Sequence, residues 1–116
     1  MLRKIGYALV AVFLFTAVPL LAQDDTTRVL FIGNSHTYMN DVPSLVAHLS
    51  LAGGHPMVTG MSAPGGYTLQ QHTTNQTTLE MISRGTWDIV ALQEQSIYPV
   101  IDYYRYNSFY PAARHL

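Results

Sequence analysis

The run Val29-Leu30-Phe31-Ile32 constrains the fold more than any other stretch of this chain. Four apolar residues follow one another without the polar alternation of a half-solvated strand, which marks a strand buried on both faces, as in a parallel sheet. Gly33 then allows a sharp turn, and the polar group Asn34-Ser35-His36-Thr37 arrives at once. The same grammar recurs twice. Trp87-Asp88-Ile89-Val90-Ala91-Leu92 predicts another buried strand that runs into Gln93-Glu94-Gln95-Ser96. Met57 to Met61 predicts a weaker strand, which leads into the loop Ser62 to Tyr67 with Pro64-Gly65-Gly66.

Helical signals fill the gaps. Pro43 suits a first helical position with Asp41 or Val42 as cap, and Leu45, Val46, Leu49 and Ala52 recur at helical spacing before Gly53-Gly54. Leu69 to Arg84 is helical with a break in the run Thr73 to Thr78, a short helix from about Gln76, and a stop at Gly85. Tyr98 to Tyr106 predicts an aromatic-rich loop, and Ser108 to Leu116 the start of a further helix. Strands alternating with helices imply right-handed crossovers and a parallel sheet covered on both faces, an α/β fold. Three strands fall short of the ~4–6 of an ordinary sheet. With the last helix uncapped, the expectation is that the fold is incomplete in this chain and that the sequence is the front part of a longer protein.

The first 22 residues read as a signal peptide, leaving a domain over residues 23–116. Arg3 and Lys4 are followed by an almost wholly apolar run from Gly6 to Leu21, then Ala22 and the polar Gln23-Asp24-Asp25. The alternative is an uncleaved anchor, although Pro19 sits in a run slightly short of the ~20 residues a spanning helix needs. Either way the protein is exported, secreted or periplasmic, and cleavage leaves no stable membrane anchor. The chain has no cysteine, so no disulfide stabilises the exported domain. Past the signal, four arginines (Arg28, Arg84, Arg105, Arg114) face seven acidic residues, a net charge of −3. An acidic balance without a basic stripe argues against nucleic acid as a partner.

In a parallel α/β sheet, ligands bind where the strands end. All three predicted strands end in polar loops, and the fold logic brings these loops to one edge. Acyl transfer needs a hydroxyl nucleophile on a tight turn, donors for an oxyanion, and a base held by an acid. Ser35 supplies the hydroxyl and precedes helix N–H groups that favour developing negative charge. Gly66 offers a bare backbone N–H, and Gln95 or Gln93 a side-chain amide. Donors of this kind are worth roughly 3–4 kcal/mol each in other enzymes. The plainer alternative is that Ser35 is an ordinary turn residue.

The segment Val29 to Thr37, with Gly33-Asn34-Ser35-His36-Thr37, resembles the first block of the SGNH (GDSL-type) esterase and lipase superfamily. Together with Leu92-Gln93-Glu94-Gln95-Ser96 it is similar to a subgroup with G-N-S-[FH]-T and L-Q-E-Q-S segments, and Gly66-Tyr67-Thr68 resembles the second block. The resemblance spans about residues 28–97. It implies a flavodoxin-like three-layer α/β/α sandwich with Ser35 as nucleophile and Ser35, Gly66 and Gln95 as the oxyanion hole. Asn34, His36, Tyr67 and Gln93 become candidate substrate contacts. The family's third-block asparagine has no counterpart here, so Gln95 takes its place. Its last block, Asp-x-x-His, has no match, which puts the base and its orienting acid beyond Leu116.

Other residues read more plainly. His36 adjoins Ser35 on the turn, where neighbouring side chains diverge, so it is a weak base. His72 reads as a surface or rim residue, His48 and His55 as solvated, and Asp41 as a cap. No histidine spacing resembles a metal site and no glycine pattern a phosphate loop, so neither metal nor cofactor is expected. Tyrosines from Tyr98 to Tyr110, with Phe109, suit a pocket or a core equally. The leading expectation is an exported serine esterase acting on a small-molecule or carbohydrate ester, such as an O-acetyl group. A non-catalytic binding module of the same fold, or an acyltransferase using the same serine, stands as the alternative.

Overall fold

Three apolar runs pair into one parallel sheet, and everything else is arranged around its middle strand. A computed structural model describes residues 25–116; the segment 1–22, expected to be a signal peptide, lies outside the described residues. Strands β1 (Thr27–Ile32), β2 (Met57–Ser62) and β3 (Ile89–Leu92) lie in the order β2-β1-β3. Leu30 sits opposite Gly60 on one side and Val90 on the other. Helices α1 (Ser35–Tyr38) and α2 (Val42–Ala52) connect β1 to β2, and α3 (Leu69–His72) and α4 (Gln76–Ser83) connect β2 to β3. After β3 come α5 (Asp102–Tyr104), a π-helical turn (Arg105–Phe109) and α6 (Tyr110–His115).

The strand order has a functional consequence. The path from β1 to β2 crosses the sheet one way, and the path from β2 to β3 crosses it the other way. Right-handed crossovers therefore put α2 on one face and α3 and α4 on the opposite face. The direction reverses between β1 and β3, and it is at such a point, outside the carboxyl ends of the strands, that open parallel sheets bind ligands. The core lies on the α3 and α4 side. Leu30 and Ile32, one strand period apart, are fully buried against Leu69 and Ala112, with Met81, Ile82, Trp87, Leu92 and Phe109 around them. Trp87 is fixed by its indole N–H, which donates to the Met81 carbonyl at 2.7 Å.

Local chemistry sets most boundaries where the sequence puts them. Asp41 is the cap of α2, its carboxylate accepting from the Ser44 N–H, with Pro43 in the first turn. The Thr73 to Thr78 run does break the helix: α3 ends at His72, and Asn75 caps α4 by accepting from the Thr78 N–H at 2.9 Å. β3 is shorter than expected, beginning at Ile89; ahead of it Asp88 is held to Arg28 on both sides, its N–H donating to the Arg28 carbonyl at 2.8 Å and its carboxylate accepting from the Arg28 N–H at 2.7 Å.

Three expectations need correction. The apolar stripe of α2 does not face the sheet: Leu45 and Leu49 are 53% and 74% exposed, whereas Pro43 is buried and Val46 and Ala47 are half-buried. The inward stripe is Pro43, Val46, Ala47 and Ser50, and its mostly small residues let the helix lie close against β2. β3 is not buried on both faces: Ile89 and Val90, which point to opposite faces, stay 52% and 39% exposed. The aromatic segment is helical from Asp102 rather than from Ser108. Asp102 pairs with Arg105 one turn on, the Asn107 amide donates to the Tyr103 carbonyl at 2.7 Å, and Tyr98 stacks on Tyr104 at 4.9 Å.

Truncating the central strand is expected to be costly and truncating the outward stripe of α2 nearly neutral. Leu30→Ala should lose about 2–5 kcal/mol, and Leu49→Ala no more than about 0.5 kcal/mol. Urea denaturation of both variants checks this, and equal midpoints would place the core elsewhere.

Candidate active site

The turn after β1 is built around one missing side chain. A Cβ at Gly33 would lie 2.4 Å from Thr37 Oγ1 and 2.6 Å from Gln93 Oε1. Because glycine leaves that space open, Gln93 Oε1 reaches in and accepts from the Asn34 N–H and from Thr37 Oγ1, each at 2.9 Å. The other end of the Gln93 amide donates to the Glu94 carbonyl. Asn34 is only 1% exposed. Its Oδ1 caps α1 by accepting from the His36 N–H at 3.1 Å, and its Nδ2 donates to the Tyr67 carbonyl at 2.8 Å. Asn34 and Gln93 are thus occupied in holding the loops together. Ser35 comes next, half-buried at the start of α1, and neither its N–H nor its Oγ bonds to any described residue.

The second and third loops meet the first. Gly66 adopts φ +73°, with open space where a side chain would stand, so the residue is demanded by backbone conformation. Thr68 caps α3 in a reciprocal box with Gln71. Glu94 is buried and joins the loops: its Oε1 accepts from the Leu69 N–H at 3.0 Å and the Gln95 N–H at 2.7 Å. Gln95 accepts from the Ile97 N–H at 2.9 Å through Oε1. That bond fixes the amide orientation and leaves Nε2 as the free, donating end. Gly66 and Gln95 line one open cleft of about 650 Å³ with Thr68, Gln70, Gln71 and Tyr98. Ser35 stands at the same sheet edge but outside that lining, tied to it through the bond from Asn34 to Tyr67.

His72 is the residue that the sequence reading placed wrongly. It is fully buried, not at the rim. Its Nε2 lies 2.8 Å from the Gly33 carbonyl, which can only accept, so Nε2 carries the proton. Nδ1 then accepts from Thr78 Oγ1 at 2.7 Å, nearer than the Asn75 Oδ1 that the same hydroxyl reaches at 3.2 Å, and Ser62 Oγ donates to Thr78 Oγ1 at 2.8 Å. Tyr67 meets the ring edge-on at 5.2 Å. Burial pushes the His72 pKa below the ordinary 6.5, against a smaller upward pull from the Gly33 hydrogen bond and the Glu94 charge. The only cue in the sequence was position: His72 closes a short helix whose other end, Leu69, is core. His36 lies exposed on α1, and His48 and His55 are exposed as expected. Among the described residues, no group of three or more His, Asp or Glu side chains is placed to hold a metal ion.

No protein-family model matches the chain, and neither a curated protein nor a solved structure is significantly similar to it. The site consists of a hydroxyl without a partner among the described residues, at a reversal point of a parallel sheet, beside an uncharged cleft with amide donors.

Two outcomes follow. Gly33→Ala should displace the Gln93 amide and destabilise the protein by about 1–3 kcal/mol, as overpacking does; an unchanged urea midpoint would refute the crowding described. Stability should also fall as pH drops below about 6.5, because the unfolded chain then gains a proton that buried His72 resists. His72→Gln should flatten that dependence between pH 7 and 5.5, and an unflattened curve would assign it to other groups.

Proposed function

We propose that this chain carries the nucleophile half of an exported serine ester hydrolase with the SGNH-type α/β/α fold. One observation carries the reading. In a turn where the N–H groups of Gly33, Asn34, His36 and Thr37 and the Thr37 hydroxyl are all paired, the Ser35 N–H and hydroxyl have no partner among the described residues. A turn residue serving only the fold would spend its hydroxyl locally.

In this mechanism Ser35 Oγ attacks the acyl carbon, and its proton passes to a base and then to the departing alcohol. Water hydrolyses the acyl-serine and restores the hydroxyl, releasing the acid. The N–H groups of Ser35 and Gly66 and the Nε2 of Gln95 supply the oxyanion donors. Helix α1 has four residues, so its dipole adds little beside these direct donors. His72 has both ring nitrogens engaged and is unsuited to be the base. The base and its orienting acid would be the His and Asp of the last block that the family resemblance implies. The cleft lining of hydroxyls, amides and Tyr98, with no charged side chain, fits the neutral, polyhydroxylated alcohol of a carbohydrate ester. His36 and the half-buried Tyr67 are the remaining candidate contacts.

The second reading is a binding module, favoured by the fact that Ser35 is not among the cleft-lining residues. One experiment separates the two. In the full-length secreted polypeptide, Ser35→Ala should lower kcat/KM for an aryl acetate or acetylated sugar by at least about a thousandfold while the circular dichroism spectrum is unchanged. Retained hydrolysis would remove Ser35 from the chemistry. Saccharide binding without any hydrolysis by the wild-type protein would establish the module.

A further inference from the structure

The carbonyl of Gly33 lies where β1 has just left the sheet. The strand's last inter-loop bonds are made by its neighbours: Gly33 N–H to the Ser62 carbonyl at 3.0 Å and Gln93 N–H to the Ile32 carbonyl at 2.8 Å. No backbone donor reaches the Gly33 oxygen, which is buried and needs one. We propose that His72 is a positioning residue for the nucleophile: its Nε2–H holds the Gly33 carbonyl and thereby sets where Ser35 stands relative to Gly66. The catalytic part of this inference rests on the hydrolase reading above.

The ring is suited to that task because it is rigid and bonded from both sides. Thr78 Oγ1, itself backed by Ser62 Oγ, donates to Nδ1 and so keeps the proton on Nε2. A lysine has no acceptor for Thr78, and a leucine would leave both partners unpaired in the core. The helix that carries His72 is also fixed at its start, where Leu69 N–H donates to Glu94 Oε1. Two residues before α3, the Tyr67 carbonyl accepts from Asn34 Nδ2. The bonds from Gly33 to His72 and from Asn34 to Tyr67 therefore join consecutive residues of the nucleophile turn to the two ends of Tyr67–His72. The loop bearing Gly66 cannot shift against Ser35 without breaking one of them. Misplacement by about 1 Å is enough to cost about 100-fold in rate.

The test compares two amides in the full-length secreted polypeptide. His72→Gln can still direct an N–H to the Gly33 carbonyl, whereas the shorter His72→Asn matches only the Nδ1 side. Expected are near-native amide shifts for residues 33–37 and kcat within about fivefold for His72→Gln. For His72→Asn, those amides should move and kcat fall by about 10- to 100-fold with KM little changed. Equal spectra and equal kcat for the two variants would overturn the proposal. The ring nitrogen shifts of the wild-type protein give an independent reading, needed if His72→Asn does not fold: the Nε2–H neutral tautomer is expected, and an Nδ1–H tautomer would overturn it. If the wild type shows no hydrolysis, the amide and ring shifts still decide the positioning, and only the hydrolase reading fails.

Discussion

A single carboxamide oxygen, Gln93 Oε1, occupies the space that a side chain at Gly33 would fill, and the candidate site depends on that substitution of one group for another. Two donors from the first loop converge on an acceptor from the third. The bond does more than add stability. It fixes the end of the central strand to the end of its neighbour at the point where the sheet reverses its winding direction, which is where a parallel fold opens its crevice.

From that bond the remaining contacts form a continuous set. Asn34 reaches Tyr67 in the second loop, His72 reaches back to Gly33, and Glu94 joins the start of α3 to the third loop. Almost all of these links are between neutral amides, hydroxyls and carbonyls. Neutral hydrogen bonds each add only about 1 kcal/mol net, but leaving any partner buried and unpaired costs more than that. The network is therefore better understood as enforcing geometry than as supplying stability. Ser35 is conspicuous within it because its own polar groups take no part.

Features written in local chemistry were legible in the sequence. The apolar run of β1, the Asp41 cap, the break ahead of Asn75 and the polar loops at the strand ends all follow from neighbouring residues. Features decided by packing were not. Which stripe of α2 faces the sheet depends on how closely the helix approaches β2, and the small residues Ala47 and Ser50 win over Leu45 and Leu49. The burial of His72 depends on Thr78, Ser62 and Gly33, which lie up to 39 residues away and meet only when the sheet forms. The helical path from Asp102 was obscured by tyrosines that read equally as loop or core. At the site, the polar loops at the strand ends were readable from residue type, whereas the inward commitment of Asn34 and Gln93 was not.

The central claim is that the fold presents Ser35 as a nucleophile. Reaction of the protein with a fluorophosphonate, followed by peptide mass spectrometry, tests it directly. The account predicts one covalent adduct per chain, on Ser35. A folded protein that takes no adduct, or takes it on another hydroxyl, would contradict it.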